Sequence, residues 1–274
     1  AGGGTSSATA SPASLGLPSL SSPQAAASEQ GRKKNRWGNG LDAPAAGARP
    51  FFPPGWTPQR DVRAAIEIFG HSQAELSELE RRGNQIAQEL RGFGLNTAAD
   101  HAAAIYAYTE ENPLDLYGKL NHACRTPGGV AERRLELYRD YLHHMQEATS
   151  ALINFVGKVY RGIDCKINPA SYAIGNTITW QQFSSASKKQ QQARKFCQDQ
   201  MGRLSGSIFV LHVKTGKEIE AFSAFPEEEE VLLKFNTFFK VTAKLQTEAE
   251  KKAELPDLAG YDLASLDVYI LHQV

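Results

Sequence analysis

Three short polar motifs follow one another in the second half of the chain: Val159-Tyr160-Arg161-Gly162, then Phe183-Ser184-Ser185-Ala186-Ser187, then Glu227-Glu228-Glu229-Glu230-Val231-Leu232. Each sits on or beside a segment that reads as a strand. An Arg, a Ser and a Glu lining a cleft are costly unless they pair with one another or meet a ligand. Arg161 presents a planar fork that matches phosphate oxygens, and Gly162 beside it offers a bare backbone for close approach by a ligand. On an extended segment Phe183, Ser185 and Ser187 share one face. Ser185 suits a hydrogen bond to a carboxylate or a ribose, and no G-x-S-x-G turn surrounds it as an acyl-transfer nucleophile would need. The acidic run leads straight into Val231-Leu232-Leu233, so Glu228 and Glu230 share one face of that strand and Glu229 opposes them. Two carboxylates on one face can divide roles, one stabilising a developing cation while the other holds or deprotonates a nucleophile. Glycosidases use the same logic around an oxocarbenium ion, but no dense Trp cluster accompanies this run. The ordinary uses of these residues are a structural ion pair, a polar strand end and a solvated loop. Their order and flanking residues favour a site for an anionic ligand and a developing positive charge.

The elements that must position these motifs change character along the chain. Residues 1–50 are rich in Ala, Ser, Gly and Pro with few large apolar side chains, too few to offset ordering entropy, and read as a disordered tail. The basic cluster Arg32-Lys33-Lys34-Asn35-Arg36 within it reads as a solvated linker. Residues 57–155 read as helical. Thr57-Pro58 is a candidate start, Val62, Ile66 and Phe69 recur at helical spacing, and Ser77 to Leu90 is dense in good helix formers until Gly92-Phe93-Gly94. Ala98 to Thr109 continues as helix, and Pro113 opens another carrying Tyr117, Leu120 and Cys124. Tyr138, Tyr141, Leu142, Met145, Ala148 and Leu152 form an apolar stripe of helix core. After Phe155 the period shortens. Strands are expected at 158–163, 178–180 with Phe183 following, 207–213, 230–233, 237–241 and 267–272, with Thr215-Gly216-Lys217 as a turn. Gln190 to Met201 reads as polar helix or loop. Helices first and strands afterwards indicate an α+β domain over 51–274, helical over 57–155 and β over 156–274.

Bulk properties narrow the function classes. The chain has 274 residues, with 30 Lys plus Arg against 30 Asp plus Glu. Zero net charge does not favour a general nucleic-acid surface, and no apolar run reaches the length of a bilayer span. A start at Ala1 rather than Met reads as a processed or excised form, so compartment stays open. Cys124, Cys165 and Cys197 form no C-x-x-C pair and no disulfide framework, and no metal-ligand spacing is evident. None of the seven histidines has a carboxylate partner at a triad spacing.

At this point the residues resemble a known family. From about Ala98 to Val274 the chain is similar to the arginine-specific mono-ADP-ribosyltransferases of the arginine–serine–glutamate class, the vertebrate ecto-enzymes and cholera-toxin-like toxins. Ala104 to Thr109 and Tyr117-Gly118-Lys119-Leu120-Asn121 resemble its helical region. Val159 to Gly162 matches the arginine motif, and Phe183-x-Ser185-x-Ser187 the serine motif, with Ala186 in place of Thr. Gly216 to Ile219, Phe222-Ser223 and Glu228-x-Glu230-Val231-Leu232 match the glutamate loop and strand. The resemblance implies a split β-sandwich preceded by helices, with NAD as co-substrate, no metal, and a target protein with an exposed arginine as partner of a monomer. It also implies roles. Arg161 anchors the NAD phosphates, and the Gly162 backbone meets the nicotinamide carboxamide in the pocket beside Phe183. Ser185 orients the catalytic carboxylate. Glu230 holds the ribose hydroxyl and stabilises the oxocarbenium ion, and Glu228 positions the acceptor guanidinium. Phe196 caps the nicotinamide, and Phe225 is the exposed aromatic of the target-facing loop. Water as acceptor would make the same site an NAD glycohydrolase.

Overall fold

The structure, a computed structural model, describes residues 45, 47–111, 115–198 and 202–274. The tail reading with its basic cluster falls mostly outside the described residues, as do Pro113 and Met201. Five helices come first: α1 (Val62–Glu67), α2 (Gln73–Gly92), α3 (Ala99–Thr109), α4 (Leu116–Arg125) and α5 (Gly129–Ser150). Caps explain two of the starts. Asp61 accepts from the Ala64 amide, so α1 opens there and not at the Thr57-Pro58 expected from sequence. Ser72 and Glu75 form a capping box on α2.

Seven strands follow: β1 (Asn154–Ile163), β2 (Thr177–Trp180), β3 (Ser184–Ser187), β4 (Ser207–Glu218), β5 (Glu230–Leu233), β6 (Thr237–Leu245) and β7 (Asp267–Gln273). Two short helices, α6 (Gln190–Lys195) and α7 (Glu248–Glu254), lie among them. The expected turn at Thr215-Gly216-Lys217 is instead the interior of β4. Gly216 pairs with Phe155 of β1, and a side chain there would meet Val231 at 2.6 Å, so its lack of a Cβ serves close strand packing. Helix α7 has no counterpart in the sequence reading, although Thr247 and Glu250 form a capping box at its start.

The strand order is β1-β3-β5-β4-β7-β6-β2, and β1 also pairs along its length with β4. Strand β3 meets β1 at one register pair, Tyr160 with Ser187, and β5 meets β4 only at Lys217–Leu232 and Glu218–Val231. The short pair β3–β5 therefore peels away from the long sheet, which gives the split sandwich.

Alternation sorts the apolar side chains. Phe209, Leu211, Val231 and Leu233 fill the core between the sheet halves with Trp180 and Phe239. Ile208 and Val210 face α6 and the chain around Leu255 and Leu258. Leu232 and Phe183 join the helical core. The helices thus pack directly on the strands that carry the serine and glutamate motifs.

Candidate active site

Arg161 lies on β1 opposite Phe209 and is 2% exposed. Its guanidinium donates to the Ser185 carbonyl and sits 6.0 Å over the Trp180 ring. Burial lowers the group to about 10; Tyr108 and Glu230 push the other way, and Arg125 adds to the lowering. It still carries its charge at neutral pH. The register of β3 on β5 sets Ser185 opposite Leu232 and Ser187 opposite Glu230. Arg161, Ser185 and Glu230 therefore converge on the junction of β1, β3 and β5.

Glu228 and Glu230 are 2% and 0% exposed. Strand alternation does not produce this pairing. Strand β5 begins only at Glu230, and Glu228 ends a 3-10 turn, Pro226–Glu228. Between them Glu229 adopts a left-handed backbone (φ 44°, ψ 53°), a conformation that costs a non-glycine residue about 1–2 kcal/mol. That one residue turns its own side chain toward solvent and leaves its two neighbours buried.

Gly162 serves a purpose other than the one expected from sequence. A Cβ there would lie 1.9 Å from the Ala193 carbonyl oxygen and 2.8 Å from the Cys197 sulfur. The bare backbone admits helix α6 on that face rather than a ligand. Phe183 is fully buried, edge-on to Tyr108 at 5.7 Å and to Phe235 at 5.4 Å. Phe196 is buried in the core between the sheet halves. Phe225, expected as an exposed aromatic, is half-buried. Its loop is tied down where the Ala224 amide donates to Thr109 Oγ1 at 2.9 Å, at the end of α3.

Two hydroxyls at this junction are poised to bind. Ser184 and Ser185 bury their Oγ atoms with no hydrogen-bond partner, an arrangement that favours acquiring one. They suit the hydroxyls or amide of a nucleoside ligand. Among the described residues, no three His, Cys, Asp or Glu side chains group to hold a metal ion, and no helix is long and apolar enough to cross a membrane.

Residues 60–260 match the family model described as NAD:arginine ADP-ribosyltransferase. The chain belongs to this family. As a member of the NAD:arginine ADP-ribosyltransferase family it is 30% identical over 161 residues to mouse ecto-ADP-ribosyltransferase 5, covering 56% of this chain and 49% of that protein. It is 28% identical over 224 residues to mouse GPI-linked NAD(P)(+)--arginine ADP-ribosyltransferase 1, covering 71% of this chain and 63% of the relative. The chain thus spans about half the length of the first of these relatives. Two solved structures share the fold. The Pseudomonas syringae ADP-ribosyltransferase HopU1 aligns with a TM-score of 0.58 at 17% identity, over 80% of this chain and 99% of that one. The eucaryotic mono-ADP-ribosyltransferase ART2.2 aligns with a TM-score of 0.52 at 17% identity, over 83% of this chain and 95% of that one.

Several neighbours of this family member's motifs escape sequence reasoning. Trp180 under Arg161 has no positional signal. Tyr108, whose hydroxyl accepts from Asn121 at 2.9 Å, comes from a helix and reaches the site only through helix-on-sheet packing. Lys188 and Lys189 follow the serine motif directly, and that adjacency to the glutamate strand was the available signal.

Proposed function

We propose that the chain transfers ADP-ribose from NAD to the guanidinium of a protein arginine and releases nicotinamide. The observation that carries this reading is the burial of Glu228 and Glu230 on either side of an outward-turned Glu229, at the end of the strand bonded to the serine motif. The family match and the ecto-enzyme relatives support it. Residues 51–274 would form the catalytic domain.

NAD would reach the site once the groups covering this buried junction part. Arg161 would meet its phosphates through the planar fork while keeping Ser185 in place. The Ser185 hydroxyl would hold the carboxylate or ribose, and the Gly162 backbone, Phe183 and Phe196 would bound the nicotinamide end. Glu230 would stabilise the positive charge that grows at the ribose C1′ as nicotinamide leaves. Glu228 would hold the incoming guanidinium and take its proton, because a protonated guanidinium is a poor nucleophile. The partner is a protein with an accessible arginine, met by the loop bearing Phe225, and the chain acts as a monomer without a metal.

Incubation with labelled NAD and agmatine (a small arginine mimic) tests the proposal. Labelled ADP-ribosyl-agmatine is the expected product. Nicotinamide release without that adduct would make the chain an NAD glycohydrolase.

A further inference from the structure

The glutamate loop is held by the segment that follows the serine motif. Residues 227, 228 and 229 each receive bonds from residues 187–189. Ser187 Oγ donates to the Glu228 carbonyl at 2.6 Å and accepts from the Lys189 amide at 2.9 Å. The Lys188 amide donates to the Glu229 carbonyl at 3.3 Å. The Lys189 ammonium reaches across the loop, to the Glu229 carboxylate at 2.9 Å and the Glu227 carbonyl at 3.1 Å. Lys188 turns instead to Glu218 and Glu220, at 3.1 and 3.4 Å. Lys189 is thus the side chain that grips Glu229, the left-handed residue on which the burial of Glu228 depends.

We infer that Lys189 is a positioning residue that, by clamping Glu229, aims Glu228 at the acceptor and sets how ADP-ribose divides between a guanidinium and water. The inference rests on the proposed transferase reading. In either branch the bond from ribose C1′ to the nicotinamide nitrogen breaks, and its electron pair leaves with nicotinamide. The new bond forms from a guanidinium nitrogen, whose proton passes to Glu228, or from a water oxygen, which yields ADP-ribose and a proton. Both branches use Glu230, and only the first needs Glu228 in place. Loosening Glu229 therefore penalises transfer while sparing bond cleavage. The two partners' side chains are 46% and 32% exposed, so water weakens the ion pair and the shift is modest, about three- to fivefold.

The test uses the full chain with NAD and agmatine, reading ADP-ribosyl-agmatine, free ADP-ribose and total nicotinamide. Lys189→Met is expected to lower the transfer-to-hydrolysis ratio about three- to fivefold and raise the agmatine KM, with the NAD KM and nicotinamide release unchanged. Lys189→Glu with Glu229→Lys is expected to restore the ratio, since the reversed charges rebuild the clamp, and Lys189→Arg to retain it. An active chain whose ratio ignores Lys189, or whose agmatine and NAD KM values rise together, overturns this inference alone. A wild-type chain that releases no nicotinamide overturns the proposed function and the inference with it.

Discussion

The guanidinium of Arg161 donates to the backbone carbonyl of Ser185, so a single side chain joins the first polar motif to the second. An arginine that binds a phosphate-bearing ligand and also holds a strand has two separable effects on substitution. Arg161→Lys keeps the charge and loses the fork. It is expected to destabilise the fold by about 1–3 kcal/mol, the worth of a buried charge-assisted bond. It should also raise the NAD KM about tenfold or more. Urea unfolding and nicotinamide-release kinetics measure the two, and an unchanged KM would remove the phosphate role.

The proposed division of labour between the carboxylates predicts opposite patterns. Glu230→Gln should cut nicotinamide release and transfer together by about 10²–10⁴. Glu228→Gln should cut transfer to agmatine by a comparable factor while hydrolysis survives within several-fold. Product analysis of the two variants side by side decides this, and equal losses of both products in Glu228→Gln would contradict the assignment.

Gly162 predicts a packing defect. Ala at this position drives a methyl group into the Ala193 carbonyl, 1.9 Å away, and overpacking of this kind costs about 3 kcal/mol. Gly92→Ala is the control, because nothing lies within 4 Å of its added Cβ. Gly162→Ala should lower the urea midpoint, and Gly92→Ala should leave or raise it.

Glu110, at the end of α3, predicts a pH dependence of stability. Burial raises its carboxyl from the ordinary 4.5 to about 7, against the hydrogen bond from Tyr106. The native group keeps its proton where the unfolded one has lost it. The unfolded state therefore binds fewer protons between about pH 4.5 and 7, and stability falls as pH rises through that window. Glu110→Gln should remove this slope and stabilise the chain at pH 8 by about 1–2 kcal/mol, allowing for solvent at a half-buried group. Thermal melts of both chains from pH 5 to 8 measure it.

Helix α5 and the strands were legible because their periods are strong: an apolar stripe from Tyr138 to Ala148, and apolar runs such as Ser207 to Val213. The boundaries were less so. Thr57-Pro58 resembles a helix start, but the Asp61 carboxylate reaches the Ala64 amide and wins. Thr215-Gly216-Lys217 resembles a turn, but Gly216 lets β1 and β5 crowd against β4, a constraint set by residues far off in sequence.

The order and types of Arg161, Ser185, Glu228 and Glu230 are properties of the chain itself, and through them the family was already readable. Residue chemistry does not depend on packing, so an arginine fork, a hydroxyl and two carboxylates announce the kind of ligand they serve. Tertiary structure decided how they meet. It brought Arg161 onto the Ser185 carbonyl and used Gly162 to seat a helix. It also made Glu228 and Glu230 neighbours through a left-handed Glu229 rather than through strand alternation. That last feature depends on Ser187 and Lys189, some forty residues away. Local propensity disfavours such a backbone, and only bonds across the sheet hold it.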